Sequence, residues 1–546
     1  MNYWIFGFLS IFWIASIAIG WKFKSSEQNV SDFLIGKRKL SFFIFIFAIT
    51  SILITNVNFF SQSSLNLDIG FMGSYLAFTV IITSIVSIFF MKKQWVLSKR
   101  FGYITPAEMY GDYFKSKLFQ YIIILISIFF IIPFVGLQLS LSGKLLSIVT
   151  ENLLSPVVSS WIIGLIICIY VGLGGANSVA HNNAFKFIII IFGLIILGLI
   201  SYNLSGGFMS LNQTLAKLSQ LKESGETNTI SLFYIPEIIN SGSGYNLEDE
   251  KINWSGTLIF GFIISTIGIF CSPAFSMWCF SSESPKPFAS QQVWVTTFLI
   301  GFILIFFVTF VGISAHILGS NSIVNDAGIN VSKFLSENIE KNNFDLNLFA
   351  NYSMTIKETS PWLFSILVIS AFAVLQSTAA AFISTTAGIF SRDVYKKIFN
   401  PKASPQSEIM ITRLSILLIA ILSLILVTFA DKIIWVLNSF SISLAAQMLI
   451  PLIAICYVPW FTKEAVLSGL IGSFFILILT DPAGHLILGK FLPWGPWPLT
   501  IHSSVWALVV NLGLVVGVTY IKQNPIDRVH RQKYFDYIED QAGIAQ

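Results

Sequence analysis

The chain has 546 residues, of which 55% are hydrophobic and only 11% charged, with a formal net charge of +5. A soluble domain carries about 25% charged residues, so this composition cannot cover a water-facing surface. It excludes a soluble globular protein and points to an all-α polytopic membrane protein embedded in a lipid bilayer. The positive balance suits basic loops on one membrane face and gives no sign of a nucleic-acid partner.

Hydropathy predicts about 13 transmembrane helices of roughly 18 residues or more, the length needed to cross. They lie near 3–21, 42–63, 71–90, 118–148, 156–174, 183–203, 255–280, 291–318, 361–391, 409–429, 432–457, 465–481 and 504–521. Residues 1–21 lack a basic leader and a small-residue cleavage site, and read as a retained first helix. Lys and Arg cluster after the first, third, ninth and last spans, at Lys37-Arg38-Lys39, Lys99-Arg100, Lys396-Lys397 and Arg528-Arg531. Those loops then face the cytoplasm, which puts the N-terminus outside and the C-terminus inside a plasma or inner cell membrane. The long loops 204–254 and 319–360 fall outside. The first of them is acidic, with Glu223, Glu226, Glu237, Glu248, Asp249 and Glu250. Cys168, Cys271, Cys279 and Cys456 all sit in apolar segments without metal-ligand spacing, and read as core residues.

The second span is polar in its middle, with Thr50, Ser51, Thr55, Asn56, Asn58, Ser61 and Gln62. Such groups either hydrogen-bond between helices or face a cavity. In the loop 100–114, Thr105, Pro106 and Glu108 have the spacing of a capping box that opens a short helix. The fourth span carries Gln138, Ser140 and Lys144, and Lys144 reads as snorkelling to the interface. Between the fifth and sixth spans lies a loop with Gly174, Gly175, His181, Asn182 and Asn183, in which His181 reads as a plain loop residue. In the seventh span Pro273 removes a backbone donor and breaks the helix near Cys271, beside Ser272. The ninth, Ala371–Lys397, is apolar yet carries Gln376, Ser377, Thr378, Ser384, Thr385 and Thr386. Hydroxyls are hard donors suited to a small hard cation, and on a helix they also bond back to their own backbone. The eleventh carries Asn438, Ser443 and Gln447, the last a candidate for a pocket.

Five stretches carry a resemblance to the sodium:solute symporter family. Asp32 to Leu40 is similar to D-F/Y-x-x-G-x-R-x-L, and Arg100 to Phe114 to R-F-G-x-x-T-x-x-E-Y-x-x-x-R-F without its later Arg. Tyr170, Gly174, Gly175 and Val179 match Y-x-x-x-G-G-x-x-x-V, but Asn182, Asn183 and Lys186 replace the family's Thr, Asp and Gln. Val374-x-x-Ser377-Thr378 with Ser391-Arg392-Asp393-Val394-Tyr395-Lys396 resembles the family's eighth core helix, and Lys463 to Gly472 the opening of a later one. Trp278 stands where the family often has Arg.

The resemblance implies a leucine-transporter-type five-plus-five inverted repeat, with one extra helix before it and two after. The parts would be the first helix and basic loop (1–41), the first repeat (42–203), an outer loop (204–254), the second repeat (255–457), two accessory helices (458–521) and a tail (522–546). It implies sodium-coupled symport of a small solute and no enzyme activity. Sodium would lie on the carbonyls of Ser51, Ile54 and Val374 and the hydroxyls of Ser377 and Thr378. Asn183 would stand at the ion-exit position, without the family's charge. Asn56, Asn58, Gln62, Ser272, Gln376 and Gln447 are candidates for the solute, which reads as an organic or amino acid rather than a sugar. The alternatives are a carrier of the same fold that is proton-coupled or sodium-independent, and a polytopic membrane transferase. The transferase needs clustered His, Asp or Glu, whereas His181, His316, His485, His502 and His530 are scattered.

Overall fold

The computed structural model describes residues 3–25, 30–213, 216, 236–247, 251–320, 356, 357, 359–523 and 525–544. Most of the acidic loop expected outside, including Glu223, Glu226, Glu248, Asp249 and Glu250, lies beyond those residues. Among the described residues the strands are two residues each, Tyr245–Asn246 and Lys251–Ile252, paired antiparallel. The rest of the ordered structure is helical.

The first helix, α1, spans Tyr3–Lys22. Next come α2 (Phe42–Leu53) and α3 (Val57–Leu67), bent by 62° at a short break. They are followed by α4 (Ala77–Phe101), the short α5 (Pro106–Tyr113), α6 (Lys117–Val149) and α7 (Pro156–Leu204). A second bent pair, α8 (Gly256–Cys271) and α9 (Pro273–Ser281), turns by 54°. Then come α10 (Lys286–Ser314) and α11 (Pro361–Phe399). The chain ends in α12 (Pro405–Ala430), α13 (Ile434–Ala446), α14 (Leu449–Cys456), α15 (Lys463–Thr480), α16 (Ser503–Ile521) and α17 (Pro525–Ile544).

Among the described residues nine helical stretches are long and apolar enough to cross a membrane, or eleven if each bent pair is one span. Two of them, Pro156–Leu204 and Pro405–Cys456, run for 49 and 52 residues. At about 1.5 Å per residue each is more than twice the roughly 30 Å of hydrocarbon one crossing needs. The first is interrupted at Gly175, where φ is 66° and ψ −158°. Where a loop was expected, residues 176–182 are helical, because this one glycine makes the turn. A Cβ there would also strike the carbonyl of Phe33.

The axis of the bundle is α11. In its most apolar window 94% of the residues are buried, against 28% for α1 and for α16, which lie at the periphery. It packs on α7, α6, α1 and α2. Small residues let those backbones approach. Ser370 of α11 fits against Gly193 of α7, where a Cβ would collide with its hydroxyl. Lys144 does not simply snorkel. Its amine lies 2.9 Å from Asp431, which also accepts from Ser140 Oγ at 2.6 Å, tying α6 to the α12–α13 junction.

At the other end the expected capping box is present. Thr105 Oγ1 accepts from Glu108 N, and Glu108 Oε2 accepts from Ile104 N and Thr105 N. Glu108 Oε1 then accepts from Arg392 Nε at 2.9 Å, while Arg392 and Lys396 both reach the buried Glu408. Two of the family-like stretches, 100–114 and 391–396, are thereby joined by one ion pair. The polar tail is helix α17, with Tyr534, Phe535 and Ile538 buried. Tyr534 Oη donates to Asp112 Oδ2 at 2.9 Å, and Tyr103 donates to the same carboxylate.

Candidate ion and solute site

Between α2 and α3 the chain leaves helical geometry at Ile54, with φ −79° and ψ 96°. No Gly or Pro marks that point. A helix end leaves its last carbonyls without intrahelical donors. Here Thr55 N, which would serve Ser51 O in an unbroken helix, turns instead to Asn58 Oδ1 at 3.3 Å. The freed carbonyls face α11. Ser377 Oγ lies 3.0 Å from Ser51 O and 3.0 Å from Val374 O. Thr378 Oγ1 lies 3.3 Å from Ile52 O and 3.3 Å from Val374 O.

Four of the five residues expected around sodium, Ser51, Val374, Ser377 and Thr378, thus place their oxygens together. Ile54 is buried at the break, but the carbonyl that Thr378 reaches is that of Ile52, which the sequence did not single out. Adjacent oxygens on an octahedron with bonds of about 2.4 Å are roughly 3.4 Å apart, so the spacing needs little change to enclose an ion of calcium's size. Every donor is a neutral hard oxygen, a set suited to a monovalent hard cation rather than to a soft metal. Beneath it, Asn183 Nδ2 donates to Ser377 O at 3.1 Å. A carboxylate could not make that bond.

The solute candidates divide. Asn56 and Asn58 line a cavity of about 470 Å³, counting space open to solvent, together with Thr79, Thr83, Phe134, Thr266, Phe270 and Asn438. Its side chains are uncharged. Asn56 Oδ1 accepts from Gln138 Nε2 at 2.8 Å, and Asn438 Oδ1 is buried without a partner. Gln62, Ser272, Gln376 and Gln447 do not line it. Gln62 donates to Leu304 O at 2.8 Å, closing α3 onto α10. Ser272 caps α9, accepting from Phe275 N at 3.3 Å. Gln447 bonds Ser443 O and Ser504 O and so faces α16. Gln376 is buried with neither amide atom partnered. The missed polar lining residues are mostly threonines, whose ordinary bonds to their own helix, such as Thr79 Oγ1 to Leu76 O, hide them in a sequence.

The profile of the sodium:solute symporter family matches residues 33–472. The chain belongs to this family. The symporter is 20% identical over 502 residues to the uncharacterised symporter YhjB of Bacillus subtilis (strain 168), covering 91% of this chain and 92% of that one. It is 26% identical over 202 residues to the uncharacterised symporter YodF of the same organism, covering 36% and 39%. Among solved structures it matches a Na+-coupled sialic acid symporter in a substrate-bound outward-open state. The TM-score is 0.70 at 13% identity, over 95% of this chain and 98% of that one, a likeness of fold. The chain is therefore a multi-pass membrane transporter that couples a solute to sodium, and not an enzyme.

Proposed function

We propose that sodium binds at the break between α2 and α3, on the carbonyls of Ser51, Ile54 and Val374 and the hydroxyls of Ser377 and Thr378, with Ile52 alongside. The observation that carries this reading is Ser377 Oγ reaching Ser51 O at 3.0 Å across two helices. Sodium there would join α2 to α11 and favour one side of an alternating-access cycle. The bent pairs α2–α3 and α8–α9 would open the two five-helix halves, as expected of an inverted-repeat carrier. With basic loops inside, each sodium moving inward gains about 2.3 kcal/mol per 100 mV of membrane potential. The solute would occupy the cavity beside Asn56, Asn58 and Asn438. Its uncharged amides and hydroxyls suit a small polar molecule with N–H or O–H donors, an amino or organic acid before a sugar. Asn183, bonded to Ser377 O, would stand at the ion's exit toward the basic face.

The test is thermal stability of the purified protein in sodium chloride against potassium chloride, at matched ionic strength, over a panel of small solutes. A ligand of the folded state stabilises it by about 2.7 kcal/mol at a hundredfold excess over Kd. A sodium-specific rise that one solute enlarges is expected. A solute effect without a sodium effect would instead support a sodium-independent or proton-coupled carrier, the reading that Asn183 favours.

A further inference from the structure

Lys186 lies on α7 at the heart of the bundle, wholly buried. None of the ion pairs among the described residues includes it. Its amine donates to Tyr170 Oη at 2.9 Å and stands 4.5 Å from the centre of the Tyr170 ring and 5.9 Å from that of Phe12. Aromatic faces are what a desolvated ammonium can use in place of a carboxylate. An ionisable residue inside a membrane is costly and is ordinarily kept for function. A structural role, as a donor to Tyr170, would be filled as well by an uncharged donor.

The contacts of Lys186 lead to the ion helix. Tyr170 Oη donates onward to Gln376 O at 3.4 Å, the residue before Ser377. Asn183, one turn before Lys186 on the same face of α7, holds the carbonyl of Ser377 itself. One stripe of α7 therefore sets an amide on the carbonyl of Ser377 and an ammonium that reaches the carbonyl of Gln376 through Tyr170.

We infer that Lys186, in its protonated form, is a positive charge placed beside the ion route, which weakens sodium binding at Ser377 and Thr378 and hastens its departure past Asn183. Lys186 is thus an affinity-setting residue, not a ligand. The inference rests on the sodium site proposed above. Two like charges on the order of 10 Å apart, at an effective dielectric of about 20, repel enough to weaken binding roughly tenfold.

The experiment is a sodium titration of thermal stability and of solute uptake in proteoliposomes, on the wild type, Lys186→Gln, Lys186→Met and Lys186→Arg. Half-saturating sodium should fall about tenfold in both neutral variants and stay at the wild-type value in Lys186→Arg. The solute KM at saturating sodium should not change. A lysine that merely packs would alter stability without moving the sodium midpoint. Lys186→Met keeps the side-chain volume and carries the test if the glutamine variant does not fold. An unchanged midpoint in the neutral variants, with Ser377→Ala still raising it, overturns the inference and leaves the sodium site standing. A wild type indifferent to sodium overturns the site beneath it.

Discussion

A hydroxyl on a buried helix usually bonds its own backbone one turn back, and Ser377 and Thr378 do so through Val374 O. What distinguishes them is the second contact, across to α2. Removing either hydroxyl deletes one oxygen from the proposed site. Ser377→Ala or Thr378→Ala should each raise half-saturating sodium about tenfold, corresponding to roughly 1.4 kcal/mol per hydroxyl. Sodium titrations of thermal stability check this, and unchanged midpoints in both would remove the assignment. The pair was legible in the sequence, because two adjacent hydroxyls in an apolar span are conspicuous. Their carbonyl partners left no trace in residue type, and the family resemblance supplied Ser51 and Val374 but not Ile52. That is why Ile52 went unnoticed beside Ser51.

The two helix breaks differ in how they are made. Between α8 and α9, Ser272 caps and Pro273 occupies the first position, so the interruption could be read directly. Between α2 and α3 a side chain replaces a backbone bond, with Asn58 Oδ1 taking Thr55 N. Nothing in composition separates that asparagine from one that merely bridges helices, and only the sodium carbonyls implied at Ser51 and Ile54 pointed to this place. In Asn58→Ala, Thr55 N loses its acceptor and is free to return to Ser51 O, in competition with the ion. The variant should lose about 1–3 kcal/mol of stability and bind sodium more weakly, which sodium-titrated melting reads. A stable Asn58→Ala protein with wild-type sodium response would show that the break is held elsewhere. At Gly175 the positive φ and the approach of Phe33 O act together. Gly175→Ala should therefore cost at least about 1–3 kcal/mol, visible as a lower melting temperature than that of Gly172→Ala, where a Cβ meets nothing.

At the scale of the molecule, the helical, membrane-spanning character followed from hydropathy because lipid admits few alternatives. The ties between them did not, because they join residues hundreds of positions apart. Glu108 and Arg392 are an example. Burial pushes the Glu108 carboxyl up, but Lys397 and Arg392 beside it outweigh that and hold it below the usual carboxylate range. A depressed folded value contributes stability above the unfolded value of about 4.3, lost as pH falls through the depressed one. The melting temperature should therefore drop as pH falls from about 5 toward 3. Glu108→Gln should start lower at neutral pH and lose less over the same interval. Parallel curves for the two proteins would show that Glu108 is not part of the acid response. Glu408→Ala takes from Lys396 its carboxylate and leaves Arg392 with Glu108 alone, and should destabilise more than the exposed-pair change Glu151→Ala, by thermal melting at pH 7.

Helix α17 has a practical bearing on how this protein is handled. Tyr534 grips Asp112 on α5, and α5 reaches the foot of α11 through Glu108 and Arg392. The tail is thus fastened through α5 to the end of the ion helix, rather than a loose string, and a purification handle at the C-terminus hangs from a packed element.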